Sequence, residues 1–195
     1  SKQLKAALIS TGAGLSQPGK ALSYGEISES NSFGLAGLVK WLGHEPVRIH
    51  SVKDTLDALR QTLNTAANEC DIILTSGGVS MGEWDLVRKI MEDEGDIHFW
   101  RVKLRPGSPP LFGLWKNTPI FGLPGNPVSS HVVFRMLVGP WIRKITAANG
   151  PLEHRAIATL TTPVKSSKDC LTLRRVSIEM SDDGLLAHQN IHQGS

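Results

Sequence analysis

The segment Asp71 to Thr75 (DIILT) constrains this chain more than any other. After its first residue it is continuously apolar, and it runs straight into Ser76-Gly77-Gly78. A short apolar run closed by glycines reads as a strand buried on both faces, which requires a sheet covered by helices on each side. The flanking sequence agrees. Lys5 to Ser10 (KAALIS) is a second short apolar strand, followed by loop to about Ile27. Ser30 is placed to cap a helix carrying Leu35, Leu38, Val39 and Leu42, ended by Gly43. Pro46 to Val52 is strand-like, and Asp54 is placed to cap a helix with Leu56, Leu59, Leu63 and Ala66 on one face. Leu86 to Glu94 is a third helix, Ile97 to Leu104 a strand, and Leu111 to Trp115 and Ile120 to Leu123 two more, joined through Lys116-Asn117. Pro127 to about Ala147 is the longest helix. This alternation predicts a three-layer α/β domain with a mostly parallel sheet over residues 1–147.

Asn149-Gly150-Pro151 breaks the pattern. Residues 151–195 show strands only, at Ala156 to Leu160, Leu171 to Ile178 and Leu185 to His188, so a small all-β domain is expected there, cut short by the end of the chain. The whole is 195 residues with 40% hydrophobic and 20% charged residues, enough to bury a core. A net charge of +3 is too small for a dedicated nucleic-acid binder but suits an anionic small ligand. Cys70 and Cys170 offer neither metal-type spacing nor a disulfide scaffold, and Arg135 interrupts the best apolar run, Val132 to Ile142, so no membrane span is expected. With no signal-peptide core at the N-terminus, the expectation is a soluble, cytoplasmic protein.

Several segments are suited to chemistry. In a parallel sheet the carboxyl ends of strands form the ligand crevice. Thr75-Ser76-Gly77-Gly78-Val79-Ser80 stands at such an end, with glycines that let N–H groups approach an anion and hydroxyls as added donors. The ordinary alternative is a plain β-to-α turn. Asp85 follows at a helix start, where it serves as an N-cap or as a Mg²⁺ ligand; taken alone, the cap is the better reading. Arg101, Lys103 and Arg105 alternate, so in a strand they share one face, either solvated or forming an oxyanion site. Leu123-Pro124-Gly125-Asn126-Pro127-Val128-Ser129 joins a strand to the longest helix, an arrangement that either binds an anion or merely caps the helix. The seven histidines show no ligand spacing.

These segments together resemble one family. Ser10-Thr11-Gly12, Ser28-Glu29-Ser30-Asn31-Ser32, Thr75 to Gly82 (TSGGVSMG) with Asp85, Arg105-Pro106-Gly107 and Leu123 to Ser129 (LPGNPVS) occur in the order and spacing of the MoeA-type molybdopterin molybdotransferases, which include the E domain of gephyrin. His192 to Ser195 (HQGS) resembles the bacterial form of the family's C-terminal β domain. The resemblance implies a molybdopterin-binding α/β domain, the start of that β domain, and absent N-terminal domains that build a homodimer. It implies insertion of molybdenum from molybdate into adenylylated molybdopterin with release of AMP, assisted by Mg²⁺, with molybdopterin adenylyltransferase as a partner. It places Asp85 at Mg²⁺ or the phosphoanhydride, and makes Arg105 a catalytic cation. Thr11, Gly12, Thr75, Ser76, Gly77, Gly78, Ser80, Ser108, Pro109, Pro124, Gly125, Asn126, Pro127, Ser129 and Arg175 would bind the substrates, with Arg174 the alternative to Arg175.

The chain departs from the family pattern at Ala13-Gly14, where acidic residues are usual, at Arg105 for Lys, and at Ser108 for Lys. Arg and Lys are not equivalent at a tight oxyanion site, and Ser108 removes a cation. Two rivals follow: a pterin-binding scaffold that has lost catalysis, and the adenylyltransferase itself, which Val79-Ser80 and the β appendage disfavour.

Overall fold

The computed structural model describes residues 2–12, 15–16, 19, 21–24, 27–49, 52, 55–79, 85–149 and 153–190. Ala13, Gly14, Asp54, Ser80 and residues 192–195, all singled out in the sequence, lie outside them.

The chain begins with β1 (Lys5–Ser10), β2 (Leu15–Ser16), β3 (Ile27–Ser28), α1 (Asn31–Trp41), β4 (Glu45–Ile49), α2 (Leu56–Glu69) and β5 (Ile72–Ser76). It continues through α3 (Leu86–Glu94), β6 (Asp96–Trp100), β7 (Leu104–Arg105), β8 (Leu111–Trp115), β9 (Thr118–Leu123) and α4 (Pro127–Val133). A π-helical turn (Phe134–Val138) leads to α5 (Gly139–Ile145), and four strands follow: β10 (Thr159–Leu160), β11 (Leu171–Thr172), β12 (Val176–Ser181) and β13 (Gly184–Gln189).

Alternating residues of β1 and β5 enter two separate cores. Ala6, Leu8, Ile72 and Leu74 pack with α1, α4 and α5, through Leu35, Val39, Val133 and Ile142. Ala7, Ile9 and Ile73 pack with α2 and α3, through Leu59, Leu63, Val87 and Ile90. Both faces of the sheet are therefore covered, which is why these strands carry apolar residues at nearly every position. The six strands run in the order β4-β1-β5-β9-β8-β6. The pairs β4/β1, β1/β5 and β5/β9 are parallel, and β8 is antiparallel to both its neighbours. The expected three-layer, mostly parallel architecture is present. Lys116 and Asn117, at φ 48° and 67°, form the tight β8–β9 hairpin turn whose twist suits paired strands.

One consequence of the register positions the site. Ser10 pairs with Ser76, and Ser76 with Leu123, so β1, β5 and β9 end level with one another. The segments Thr11-Gly12, Gly77-Gly78 and Pro124-Gly125 leave the sheet side by side at its carboxyl edge.

Some local expectations are corrected. The strand expected over Ile97 to Leu104 stops at Trp100, because Arg101 turns out of the sheet at φ 71° and its N–H donates to the Pro110 carbonyl at 2.8 Å. Arg101, Lys103 and Arg105 therefore do not share one face of a continuous strand. Ser30 sits at the α1 cap but makes no side-chain capping bond; Glu29 accepts the Ser32 N–H at 2.8 Å instead. Thr55 caps α2. The segment expected to be loop up to Ile27 contains the short parallel pair β2/β3. The longest helix is interrupted by a π turn just before Pro140, a residue without an N–H for the regular ladder. The strand expected over Leu171 to Ile178 is split: β11 pairs in parallel with β7 of the α/β part, and β12 joins β13 and β10 in a separate sheet. Among the described residues, no helix is long and apolar enough to cross a membrane, and both cysteines are free thiols.

Candidate functional site

Some of the residues singled out in the sequence line two cavities, the first of them at the carboxyl edge. The first, about 450 Å³, is walled by Thr11, Gly12, Ser76, Gly125 and Pro127, together with Ser28, Glu29, Ser30 and Asn31 from the start of α1. The second, about 550 Å³, is walled by Arg105, Pro106, Val128 and Arg175, with Lys165 and Arg174 added by the β-rich segment. Pro127 lines one and Val128 the other, so the start of α4 stands between them.

The first cavity is held together by hydrogen bonds between loops far apart in sequence. The Thr11 N–H donates to the Ser76 carbonyl at 3.0 Å, and the Gly77 N–H to the Leu123 carbonyl at 2.9 Å. The Asn31 amide donates to Ser76 Oγ at 2.6 Å and to the Gly125 carbonyl at 2.7 Å. Asn126 caps α4, its side-chain oxygen accepting the Ser129 N–H at 3.1 Å and its carbonyl the Ser130 N–H at 2.9 Å.

Glu29 is the buried charge of this cavity, 4% exposed. Its Oε1 accepts from Ser10 Oγ and the Ser32 N–H, both at 2.8 Å, and its Oε2 from Ser32 Oγ at 2.6 Å. Arg48 donates to Ser32 Oγ at 3.0 Å and lies 3.9 Å from Glu29 Oε2. Burial alone would raise the carboxyl's pKa; the bonds from Ser32 and Ser10 and the nearby Arg48 outweigh it and hold the pKa below the ordinary glutamate value. A carboxyl lowered in the folded state stabilises the fold above its unfolded pKa of about 4.3, and that contribution fades as pH falls through the lower folded value. Glu29→Gln is therefore expected to lose stability at pH 7 and to show a smaller further loss on acidification than the parent. Thermal melts from pH 6 to pH 3 check this; parallel curves for the two proteins would refute it.

The second cavity owes its walls to the β7/β11 pairing. The Leu171 N–H donates to the Lys103 carbonyl at 2.8 Å and the Leu173 N–H to the Arg105 carbonyl at 2.7 Å, which brings Arg174 and Arg175 beside Arg105. Arg174 also donates to the Lys165 carbonyl. Four basic side chains and, among the described residues, no carboxylate line this space, so its field suits an oxyanion.

The remaining predicted residues stand behind or between these walls. Gly77 and Gly78, at φ 94° and 69°, back the first cavity rather than line it. Thr75 is fully buried in β5, Pro124 is buried, and Ser129 is buried in the first turn of α4. Ser108 and Pro109 belong to the loop behind Arg105, where the Ser108 carbonyl accepts the Val102 N–H at 3.0 Å. Asp85 occupies the N-cap position of α3 without a side-chain capping bond. The Arg88 N–H donates to the Gly78 carbonyl at 3.0 Å, which docks the start of α3 on the glycine turn and so brings Asp85 to it. Among the described residues no three His, Cys, Asp or Glu side chains cluster to hold a metal. The histidines follow the same logic: His44 is buried and accepts the Leu4 N–H at 3.2 Å.

Sequence reasoning did not place Glu29 and Asn31 in the site, although both lie in a segment that carried the family resemblance. Lys165 gave no signal, because a lysine in a polar turn looks like any other.

Residues 7–144 match the family described as the probable molybdopterin binding domain. The chain is 34% identical to a molybdopterin molybdenumtransferase of Haemophilus influenzae over 198 aligned residues, covering 100% of this chain and 48% of that protein. It is 40% identical to one from Nostoc sp. over 145 residues, 72% of this chain and 33% of that protein. The crystal structure of the molybdopterin biosynthesis moeA protein from Pyrococcus horikoshii superposes with a TM-score of 0.74 at 26% identity, covering 99% of this chain and 45% of that one. The chain thus spans about half the length of these relatives, or less. Similarity continues through the β-rich segment, beyond the end of the matched domain. Matched over residues 7–144, the chain belongs to the family described as the probable molybdopterin binding domain.

Proposed function

We propose that this chain is the substrate-binding part of a molybdotransferase that takes adenylylated molybdopterin and molybdate, places molybdenum in the dithiolene and releases AMP. The observation that carries this reading is the pair of cavities on either side of α4. One offers the hydroxyls of Thr11, Ser28 and Ser30 and the Asn31 side-chain oxygen to a pterin; the other offers Arg105, Lys165, Arg174 and Arg175 to an oxyanion. Thr11, Ser76, Gly125 and Pro127 orient the pterin end, and Arg105 with Arg175 holds molybdate at the opposite side of the helix start.

Asp85 is the residue to hold Mg²⁺. One carboxylate completed by substrate phosphate oxygens is the ordinary donor set for that ion, and Asp85 stands at the start of α3, which the Arg88 N–H docks on the Gly77-Gly78 turn. When bound, Mg²⁺ offsets charge on the phosphoanhydride as AMP leaves. The same reading divides the chain into an α/β domain (1–147) and a β domain starting at 151. It makes the full-length protein a cytoplasmic homodimer supplied by molybdopterin adenylyltransferase.

The test is AMP release by the full-length protein given adenylylated molybdopterin and Mg²⁺, with and without molybdate. Molybdate-dependent release is expected. Tight binding without it would replace the enzyme by a carrier or scaffold, and Ser108→Lys would then be examined for recovery of turnover.

A further inference from the structure

We propose that Asn31 is the positioning residue of the first cavity, a clamp that holds the glycine-containing turn after β9 against the end of β5. Only the identity of the ligand rests on the function proposed above.

Asn31 is the first residue of α1, and its side chain crosses to two other loops. Gly125 contributes a carbonyl, which can only accept, so the side-chain nitrogen must face it and the amide has one possible orientation. Both amide hydrogens are then committed, one to the Gly125 carbonyl and one to Ser76 Oγ. Oδ1 has no partner among the described residues. The whole mechanical role of the side chain therefore lies on its donor edge. That edge links the last residue of β5 to the turn after β9, while Glu29 anchors the other end by binding Ser10 at the end of β1 and Ser32 in the first turn of α1. Three walls of one cavity meet at a single amide. The β ladder and the Gly77 N–H bond to the Leu123 carbonyl set the spacing of the strand ends, and the Asn31 amide carries the tie one step further out, to Gly125.

Asn31→Asp is the discriminating variant, because it keeps the shape and replaces the donor edge with an acceptor facing the Gly125 carbonyl. Using the full-length protein, KM for adenylylated molybdopterin is expected to rise about 10- to 100-fold with kcat within about threefold, as befits a misplaced binding wall. Hydrogen exchange at the Gly77, Ser129 and Ser130 amides is expected to accelerate in the same variant. Ser76→Ala removes one of the two bonds and is expected to raise KM by only about threefold. The Ser76 hydroxyl can donate to the carboxylate of Asn31→Asp, so the Gly125 bond is the one that variant loses, and the double variant is expected to be worse than Asn31→Asp alone. A lower melting temperature with unchanged KM and unchanged exchange at those amides would overturn the clamp and leave Asn31 a purely structural residue. A parent protein that shows no turnover of adenylylated molybdopterin would overturn the proposed function instead, and the exchange comparison would still decide the clamp.

Discussion

Asp85→Ala is expected to lower AMP release by the full-length protein about 100- to 1,000-fold while leaving its melting temperature within about 2 °C of the parent. Two roles compete at a helix start, and they make opposite demands. If the carboxylate served as a cap, its loss would cost about 1 kcal/mol of stability, and Asn would replace it without penalty. The structure shows no such bond: α3 begins with the Asp85 carbonyl accepting the Lys89 N–H at 3.1 Å, a backbone contact that Ala retains. What Ala removes is the charge beside the Gly77-Gly78 turn. Asp85→Asn is therefore expected to be nearly as inactive as Asp85→Ala, and to need far more Mg²⁺ for what activity it keeps. Full activity in the Asn variant would show that shape and hydrogen bonding suffice there, and would remove Asp85 from the proposed metal site.

The pattern of what was legible follows from the range of the interactions involved. β1, β5 and α3 were readable almost to the residue, because apolar runs, helical spacing and glycine stops are written locally. The grouping of Thr11, Ser76, Gly125 and Pro127 was readable too, since a parallel sheet brings the carboxyl ends of β1, β5 and β9 together whatever the loops contain. The failures were non-local or hung on one residue. A left-handed backbone at Arg101 ended a strand without the glycine or asparagine that ordinarily announces such a turn. The β7/β11 pairing joins residues 104–105 to 171–172, and no local pattern encodes it. The resemblance names Arg105 and Arg175, with Arg174 the alternative, but only that pairing puts Arg105, Arg174 and Arg175 around one cavity. Asn31 was missed for the same reason, because its two partners lie 45 and 94 residues away.

The glycine turn itself supplies the largest expected effect on stability. Gly77 has φ 94°, a conformation that costs an L-residue strain, and a Cβ there would stand 2.5 Å from the Thr11 carbonyl oxygen and 3.2 Å from Thr11 Oγ1. Neither side can retreat easily. Thr11 is tied to Ser76 by its N–H at 3.0 Å, and Gly77 to Leu123 by its own at 2.9 Å. Gly77→Ala is thus expected to cost about 2–4 kcal/mol, from strain plus overpacking. For a chain of this size that corresponds to a fall in melting temperature of roughly 5–15 °C. Gly125→Ala provides the contrast on the opposite turn. Its Cβ would meet nothing nearer than the Gly77 Cα at 3.7 Å, so stability should change by less than about 0.5 kcal/mol. Yet Gly125 lines the first cavity, and there an added methyl takes space from the ligand. The two substitutions should therefore separate: Gly77→Ala lowers the melting temperature, and Gly125→Ala weakens substrate binding in a protein as stable as the parent. A Gly77→Ala protein melting within 2 °C of the parent would mean that the turn can relax away from Thr11. The close contact between the loops after β1 and β5 would then not be what sets the shape of the cavity.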